Sequence, residues 1–345
     1  MTLREGVPMT TQIYDSVEGF DVLRAEWNPL VRLSPTDTVF LMWEWQSHWW
    51  AAYQPGELRI VAVRGADGAL IGIAPLFIDT TDPSERVLRA VGCVDVTDYV
   101  DVIADAAHWD VVTGAFAEAI AQMRGQYDRV NLCNLRESSP TLSGLRRCLD
   151  EGGYVTEVAD QEVCPVIALD GSWDGYLERL DKKQRHELRR KMRLAYADED
   201  LRWRVVQPSE DLGAHLETFT RLMAQSSQDK AEFLTNPQHV AFFNAVMPAM
   251  MANGWLQLAF LDMQGEPIAA YLNFVYGGRV MVYNSGLNPA HAPLSPGIVL
   301  LCHLIRWAAE NGMTAFDFLR GNEEYKYRMG GVDQPLYMLK AKLAG

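Results

Sequence analysis

Leu256-Gln257-Leu258-Ala259-Phe260-Leu261, followed by Gln264-Gly265 and then Ile268-Ala269-Ala270-Tyr271-Leu272-Asn273-Phe274, reads as a β-hairpin. Two runs of β-favouring residues flank residues with turn chemistry. The first half of the chain contains the same arrangement, where Leu58-Arg59-Ile60-Val61-Ala62-Val63 leads through Ala66-Asp67-Gly68 to Leu70-Ile71-Gly72-Ile73-Ala74-Pro75-Leu76-Phe77. Downstream of both hairpins the order of elements repeats. Val111, Val112, Phe116, Ile120 and Met123 recur at helical spacing over 108–125 and precede a strand at Arg129-Val130-Asn131-Leu132. In the second half a helix is predicted over 297–310. Asn311-Gly312 stops it as a left-handed cap would, and the strand 315–319 follows. The repetition predicts an α/β protein with mixed sheets, built from two copies of one unit. The predicted division is 1–168 and 169–345, because the strand Cys164–Leu169 ends at Asp170-Gly171-Ser172 and Ser172 is placed to cap a helix beginning at Trp173.

Size agrees with this reading, since 345 residues exceed one typical core. No apolar run approaches the ~20 residues needed to span a bilayer, and the first residues lack the pattern of a signal peptide. Cys93, Cys133, Cys148, Cys164 and Cys302 are scattered, with no C-x-x-C pair. That pattern predicts neither a zinc site nor a disulfide framework, and suits a reducing cytoplasm. His48, His186 and His303 are isolated from other metal-type residues, so no metal is expected. G-x-S-x-G, H-E-x-x-H and a full phosphate-binding glycine loop are all missing, which leaves hydrolase, zincin and nucleoside-triphosphatase readings without support. Trp43, Trp45, Trp49, Trp50 and Tyr53 occupy both sides of one predicted helix, the mark of core and interface packing.

The net charge of −14 speaks against DNA binding. Residues 179–193 nevertheless hold eight Lys or Arg, against Asp181 and Glu187. With Tyr176, Leu177, Leu180, Leu188 and Met192 as an apolar stripe, a basic helix over 176–193 is expected. Its outward cations, Arg185 among them, form either a solvated face or a docking surface for an anionic partner. The densest chemistry lies in Phe316-Asp317-Phe318-Leu319-Arg320-Gly321-Asn322-Glu323-Glu324-Tyr325-Lys326-Tyr327-Arg328. There a strand ends at a glycine and opens into ionisable groups, which is where α/β folds place ligands.

Ser172-Trp173-Asp174-Gly175-Tyr176-Leu177, the basic run 183–191, Leu294-Ser295-Pro296-Gly297, and Phe316–Gly321 followed by Tyr325-Lys326-Tyr327-Arg328 resemble the GNAT-type acetyltransferases of the cellulose-biosynthesis CelD-like family. Asp98-Tyr99 and the strand end Ala74-Pro75-Leu76 add to the resemblance. It implies two tandem GNAT-like domains, an arrangement shared with Fem-type aminoacyl transferases. It also implies acetyl-CoA or another acyl-CoA as donor, and an amine or hydroxyl of a small molecule or glycan as acceptor. The donor would lie where the strand containing Tyr283, Asn284 and Ser285 leaves its neighbour, with its phosphates at Ser295, Pro296, Gly297 and Ile298. Proline suits a first helical turn, and the unpaired N–H groups there attract anions. Of the family's phosphate loop only Pro296-Gly297 is recognisable.

Tyr325 and Tyr327 fall where such enzymes carry a tyrosine that protonates the departing thiolate. Asp317 is expected either to take the acceptor's proton or to pair with Arg320 or Lys326. Glu323 and Glu324 open the next helix, where the dipole favours acids. Arg320, Glu324, Lys326, Arg328 and Arg185 are the residues expected to bind substrate. Two further functions are open. One is a Fem-like transferase using aminoacyl-tRNA, which the basic helix favours. The other is a non-catalytic GNAT pair that binds a component of polysaccharide synthesis, which the reduced phosphate loop favours.

Overall fold

The computed structural model describes residues 9–93, 96–197 and 200–344. The chain divides into two compact units: the first runs to Glu162 and takes back the chain from Pro335, and the second is Val163–Gln334. The division thus falls before the strand end at which the sequence places it, and the last strand counts with the first unit. Among the described residues no helix is long and apolar enough to cross a membrane.

The first unit begins with β1 (Thr10–Tyr14), α1 (Glu18–Leu33) and α2 (Trp43–Tyr53). The hairpin β2 (Gly56–Arg64) and β3 (Leu70–Asp79) follows, then β4 (Val87–Ala90) and β5 (Ile103–Ala104). α3 (Trp109–Gln122), β6 (Arg129–Arg136), α4 (Gly144–Glu151) and the start of β7 (Tyr154–Ala168) complete it. Its sheet runs β1-β2-β3-β4-β6, with β5 beside β3. The later part of β13 (Val332–Leu343) is antiparallel to β6, from Leu336↔Arg136 to Ala341↔Val130. β3 is buried at nearly every position because helices pack on both faces, so its residues do not alternate between core and solvent. Trp45, Trp49 and Trp50 are core residues here. The Trp45 indole donates to Thr97 Oγ1 at 3.0 Å, and Trp49 and Trp50 lie 5.6 and 5.8 Å from the Phe77 ring.

The second unit contains α5 (Trp173–Arg179), α6 (Lys182–Ala195), β8 (Leu201–Val205), α7 (Leu212–Ser226), α8 (Gln228–Phe233) and α9 (Pro237–Ala252). The hairpin β9 (Leu256–Met263) and β10 (Glu266–Tyr276) comes next, then β11 (Arg279–Leu287), α10 (Pro296–Glu310), β12 (Ala315–Asp317) and α11 (Glu324–Arg328). Its strands run β7-β12-β11-β10-β9-β8, where β7 contributes its end from Val166 to Ala168. α10 packs on one face of β10 and β11, and α7 packs on the other. The basic segment corrects the expectation of a single helix over 176–193. Asp181 accepts from the Gln184 N–H at 2.9 Å and starts a new helix, so Leu180-Asp181 breaks the chain into α5 and α6.

The repeat is visible in strand register. In the first unit β4 and β6 are parallel over Val87↔Arg129, Leu88↔Val130 and Arg89↔Asn131. In the second, β11 and β12 are parallel over Arg279↔Ala315, Val280↔Phe316 and Met281↔Asp317. In each case a helix crosses between the paired strands. The two seams differ just past the last pair. Cys93 and Cys133 lie there in the first unit and form a disulfide, with Cα atoms 5.9 Å apart. This corrects the expectation of no disulfide: parallel pairing brings together cysteines that are far apart in sequence. The cysteine pattern therefore no longer speaks for a reducing compartment.

Candidate active site

In the second unit the seam is open. β12 stops at Asp317, whereas β11 continues to Leu287. Opposite β10, the register passes from Asn273↔Val282 to Leu272↔Asn284, leaving Tyr283 as an extra residue on β11. Such a bulge twists the strand and re-aims the groups after it. Both backbone groups of Ser285 find partners off the ladder. Its N–H donates to Asn284 Oδ1 at 2.8 Å, and its C=O accepts from Lys230 Nζ at 2.6 Å. β11 therefore presents a polar edge where its neighbour has ended.

The first turn of α10 faces this region. Ser295 adopts the left-handed conformation at φ 51, and its hydroxyl accepts from Lys191 Nζ at 2.6 Å. Proline at the first helical position costs no hydrogen bond, and the Gly297 and Ile298 N–H groups belong to the turn that an α-helix leaves unpaired. Gly297 is required by close approach, since a Cβ there would lie 2.9 Å from Leu287 Cδ2 and 3.7 Å from the Tyr271 hydroxyl. The helix start is thus seated against the end of β11.

A groove of about 750 Å³ runs beside the same turn. Lys183, His186, Glu187 and Lys191 of α6 line one wall, Ile298 lies at α10, and Glu324, Tyr325, Tyr327 and Arg328 come from α11. Positions 183, 187 and 191 share one helix face, so the basic run presents two cations to the groove. The Tyr325 ring packs edge-on to Phe318, with centroids 6.0 Å apart. Burial first, then the charge of Glu323, holds the Tyr325 phenol well above its ordinary range. Tyr325 thus stays protonated at neutral pH and can serve as an acid. Tyr271 is buried on β10, and burial, then the nearby Tyr325, raises its phenol further.

The remaining predicted residues divide by environment. Asp317 is fully buried: its Oδ1 accepts from the Leu319 N–H at 2.9 Å, and its Oδ2 lies 3.6 Å from Arg279. Arg279 is thus an ion-pair partner of Asp317 that lay outside the expected choice of Arg320 or Lys326. Asp317 anchors the turn that ends β12, and this burial leaves it away from the groove. Lys326 also points inward. Its ammonium donates to the carbonyls of Leu319, Arg320 and Gly321 at 3.2, 2.7 and 3.2 Å and pairs with Glu323 at 2.9 Å. Tyr327 is exposed and donates to Asp333 Oδ1 at 2.8 Å. Glu324 and Arg328 pair with each other on the groove wall. Arg185 and Arg320 are half-buried and do not line the groove. The Tyr283 ring packs between Phe243 and Phe274, 5.7 and 5.1 Å away.

Two residues at the site were not singled out from sequence. Tyr271 sits in a mostly apolar strand buried on both faces, where nothing marks its hydroxyl. Lys230 is one cation in the short polar helix α8, and only the fold brings it to Ser285. Burial lowers the Lys230 ammonium to about 8, against an opposing effect of Glu323. Glu323 therefore stands electrostatically among Lys230, Tyr325 and Tyr327. Among the described residues no group of three His, Cys, Asp or Glu could hold a metal ion.

Residues 182–327 match the family model for an acetyltransferase (GNAT) domain. No curated protein matches the chain. Solved structures do. FemX is 12% identical, with 95% of this chain and 96% of that one covered and a TM-score of 0.65. The C-terminal domain of a putative lysylphosphatidylglycerol synthetase from Agrobacterium fabrum is 12% identical, with coverages of 94% and 92% and a TM-score of 0.58. A tandem GNAT protein from the clavulanic acid biosynthesis pathway is 10% identical, with coverages of 97% and 99% and a TM-score of 0.51. At these identities the likeness is one of fold. The chain has an α/β fold of two tandem GNAT-like units, and the region that matches the GNAT domain model includes the open seam and most of the groove lining.

Proposed function

We propose that the second unit transfers an acetyl or other acyl group from an acyl-CoA to an amine or hydroxyl of a small molecule or glycan. The observation that carries this reading is the open seam, where β12 ends at Asp317 while bulged β11 continues to the first turn of α10. In this reading the Ser285 N–H turns from Asn284 Oδ1 to the thioester carbonyl and polarises it. The Gly297 and Ile298 N–H groups hold the pyrophosphate, helped by Lys191. Tyr325 protonates the departing thiolate. Glu323 or water takes the proton of the attacking group, a role we move from Asp317 because that carboxylate is enclosed. The motifs along the C-terminal half favour the CelD-like branch of the family.

A second reading, aminoacyl transfer from a charged tRNA, draws on the likeness of fold to FemX and on Lys183 and Lys191 in the groove wall. Thermal shift with acetyl-CoA, longer acyl-CoAs, free CoA and aminoacyl-tRNA separates the readings. A ligand at 100 times Kd stabilises by about 2.7 kcal/mol, which moves the midpoint of a unit of this size by roughly 5–10 °C. No shift with any CoA overturns the acyl-CoA reading. A shift with aminoacyl-tRNA alone establishes the second, and CoA binding without turnover over an acceptor panel points to a binding protein.

A further inference from the structure

We propose that Lys230 is itself an acyl acceptor, its side-chain amine taking the acyl group from a thioester bound in the open seam. The inference rests on the acyl-CoA reading above. Its own basis is where the amine lies. Lys230 Nζ is 2.6 Å from the Ser285 carbonyl and 3.1 Å from the Ser285 hydroxyl. Because the Ser285 N–H turns to Asn284 Oδ1, Ser285 directs its backbone groups away from β10, towards the edge that β12 has left free. Lys230 thus reaches the strand edge assigned to the thioester carbonyl.

Its helix, α8, comes from the α7 side of the sheet, while the amine itself meets the edge at the Ser285 carbonyl and hydroxyl. A Cβ on Gly286 would lie 2.5 Å from the Met223 backbone nitrogen, so the end of α7 rests directly on β11, and α8 follows within two residues. α10 lies on the other face, where Gly297 meets Leu287 and Tyr271. A donor seated at the first turn of α10 brings its thioester to the same strand edge as this amine, the close approach that direct transfer requires. The other lysines of the unit are placed differently. Lys182 and Lys183 are exposed on α6, Lys191 holds Ser295, and Lys326 holds three carbonyls. Partial desolvation gives Lys230 an ammonium lowered to about 8, so a substantial neutral fraction is present in mildly alkaline solution.

In the step, the neutral amine attacks the thioester carbonyl carbon. A C–N bond forms, the C–S bond breaks, and the thiolate leaves with the electron pair. Tyr325 supplies the proton that makes free CoA thiol, and the surplus proton on nitrogen passes to Glu323 or water. The product, Nε-acyl-Lys230, has lost its charge but keeps one N–H for the Ser285 carbonyl.

The test uses the full chain incubated with acetyl-CoA near pH 8, followed by intact mass and peptide mapping. The expected result is one acetyl group per chain, on Lys230, gained at least ~10-fold faster than on Lys182 or Lys183. Lys230→Arg should abolish that adduct while retaining the thermal shift with acetyl-CoA. A thermal shift without acetylation of Lys230 overturns this inference and leaves the acyl-CoA reading standing. So does acetylation spread evenly over the lysines, or proceeding equally in the urea-unfolded chain. Neither shift nor adduct overturns both.

Discussion

Lys326→Met separates a structural lysine from a substrate-binding one. The side chain is 2% exposed, donates to three consecutive carbonyls of the loop after β12, and pairs with Glu323. Methionine matches its length but supplies no donor, so the Leu319, Arg320 and Gly321 carbonyls lose their common partner. Hydrogen bonds to a charged group contribute about 1.5–3 kcal/mol each, and bonds sharing one ammonium do not add. Removing one member of a buried charged network costs about 3–5 kcal/mol. At roughly 2–4 °C per kcal/mol, the transition of the second unit should fall by at least about 6 °C. Urea denaturation followed by a probe in that unit, with intact chain as reference, measures the loss directly. Lys326→Arg should recover part of it, because a guanidinium can reach some of the same carbonyls. A Lys326→Met chain within about 0.5 kcal/mol of the parent would refute the reasoning, and an accompanying rise in KM alone would return Lys326 to the substrate.

Tyr325→Phe should lower kcat by about 10²–10⁴, or roughly 2.7–5.4 kcal/mol of barrier, while CoA affinity measured by titration stays near that of the parent. Unchanged turnover would remove Tyr325 as the acid. In the first unit, Asp101 is buried and accepts from Ser139, Thr141 and the Val102 N–H at 2.6, 2.5 and 2.9 Å. Burial outweighs these bonds and pushes its carboxyl up from 3.8 to about 6. The folded state therefore holds the proton more tightly than the unfolded state. The associated stability is full below the unfolded value and is lost as pH rises through the folded one. Relative to Asp101→Asn, the parent should lose about 2.4 kcal/mol between pH 4 and pH 8 in chemical denaturation. A pH-independent difference would show that the carboxylate is better solvated than its surroundings imply.

Elements with a local cause were legible in the sequence. Both hairpins follow from β-favouring runs around turn residues, and α10 follows from Pro296, an apolar spacing and Asn311-Gly312. The end of β12 was legible too, because Phe316–Gly321 turns from strand to ionisable residues. Features that depend on distant partners were hidden. Helical spacing continues across Asp181, so a side chain that caps a new helix looked like one acid in a basic run. Tyr325 and Lys326 are adjacent, yet the phenol faces the groove while the ammonium is enclosed by the loop folding back over it. The Cys93–Cys133 bond depends on parallel pairing across a whole helix, and the Lys230–Ser285 contact joins α8 to a strand that follows it by two further strands and a helix.

The return of the chain to the first unit after Gln334 has a practical consequence. The second unit is topologically an insertion, attached to the first at two places, within β7 and within β13. A single proteolytic nick therefore leaves the two units covalently joined, and only cuts near both attachments release the second unit as a fragment. Shortening the chain from its C-terminal side removes the strand paired with β6, so the damage falls on the unit that lies first in sequence. A clean excision of residues 163–334 leaves two ends to be rejoined in the first unit, a loop-closure problem rather than a trimming one.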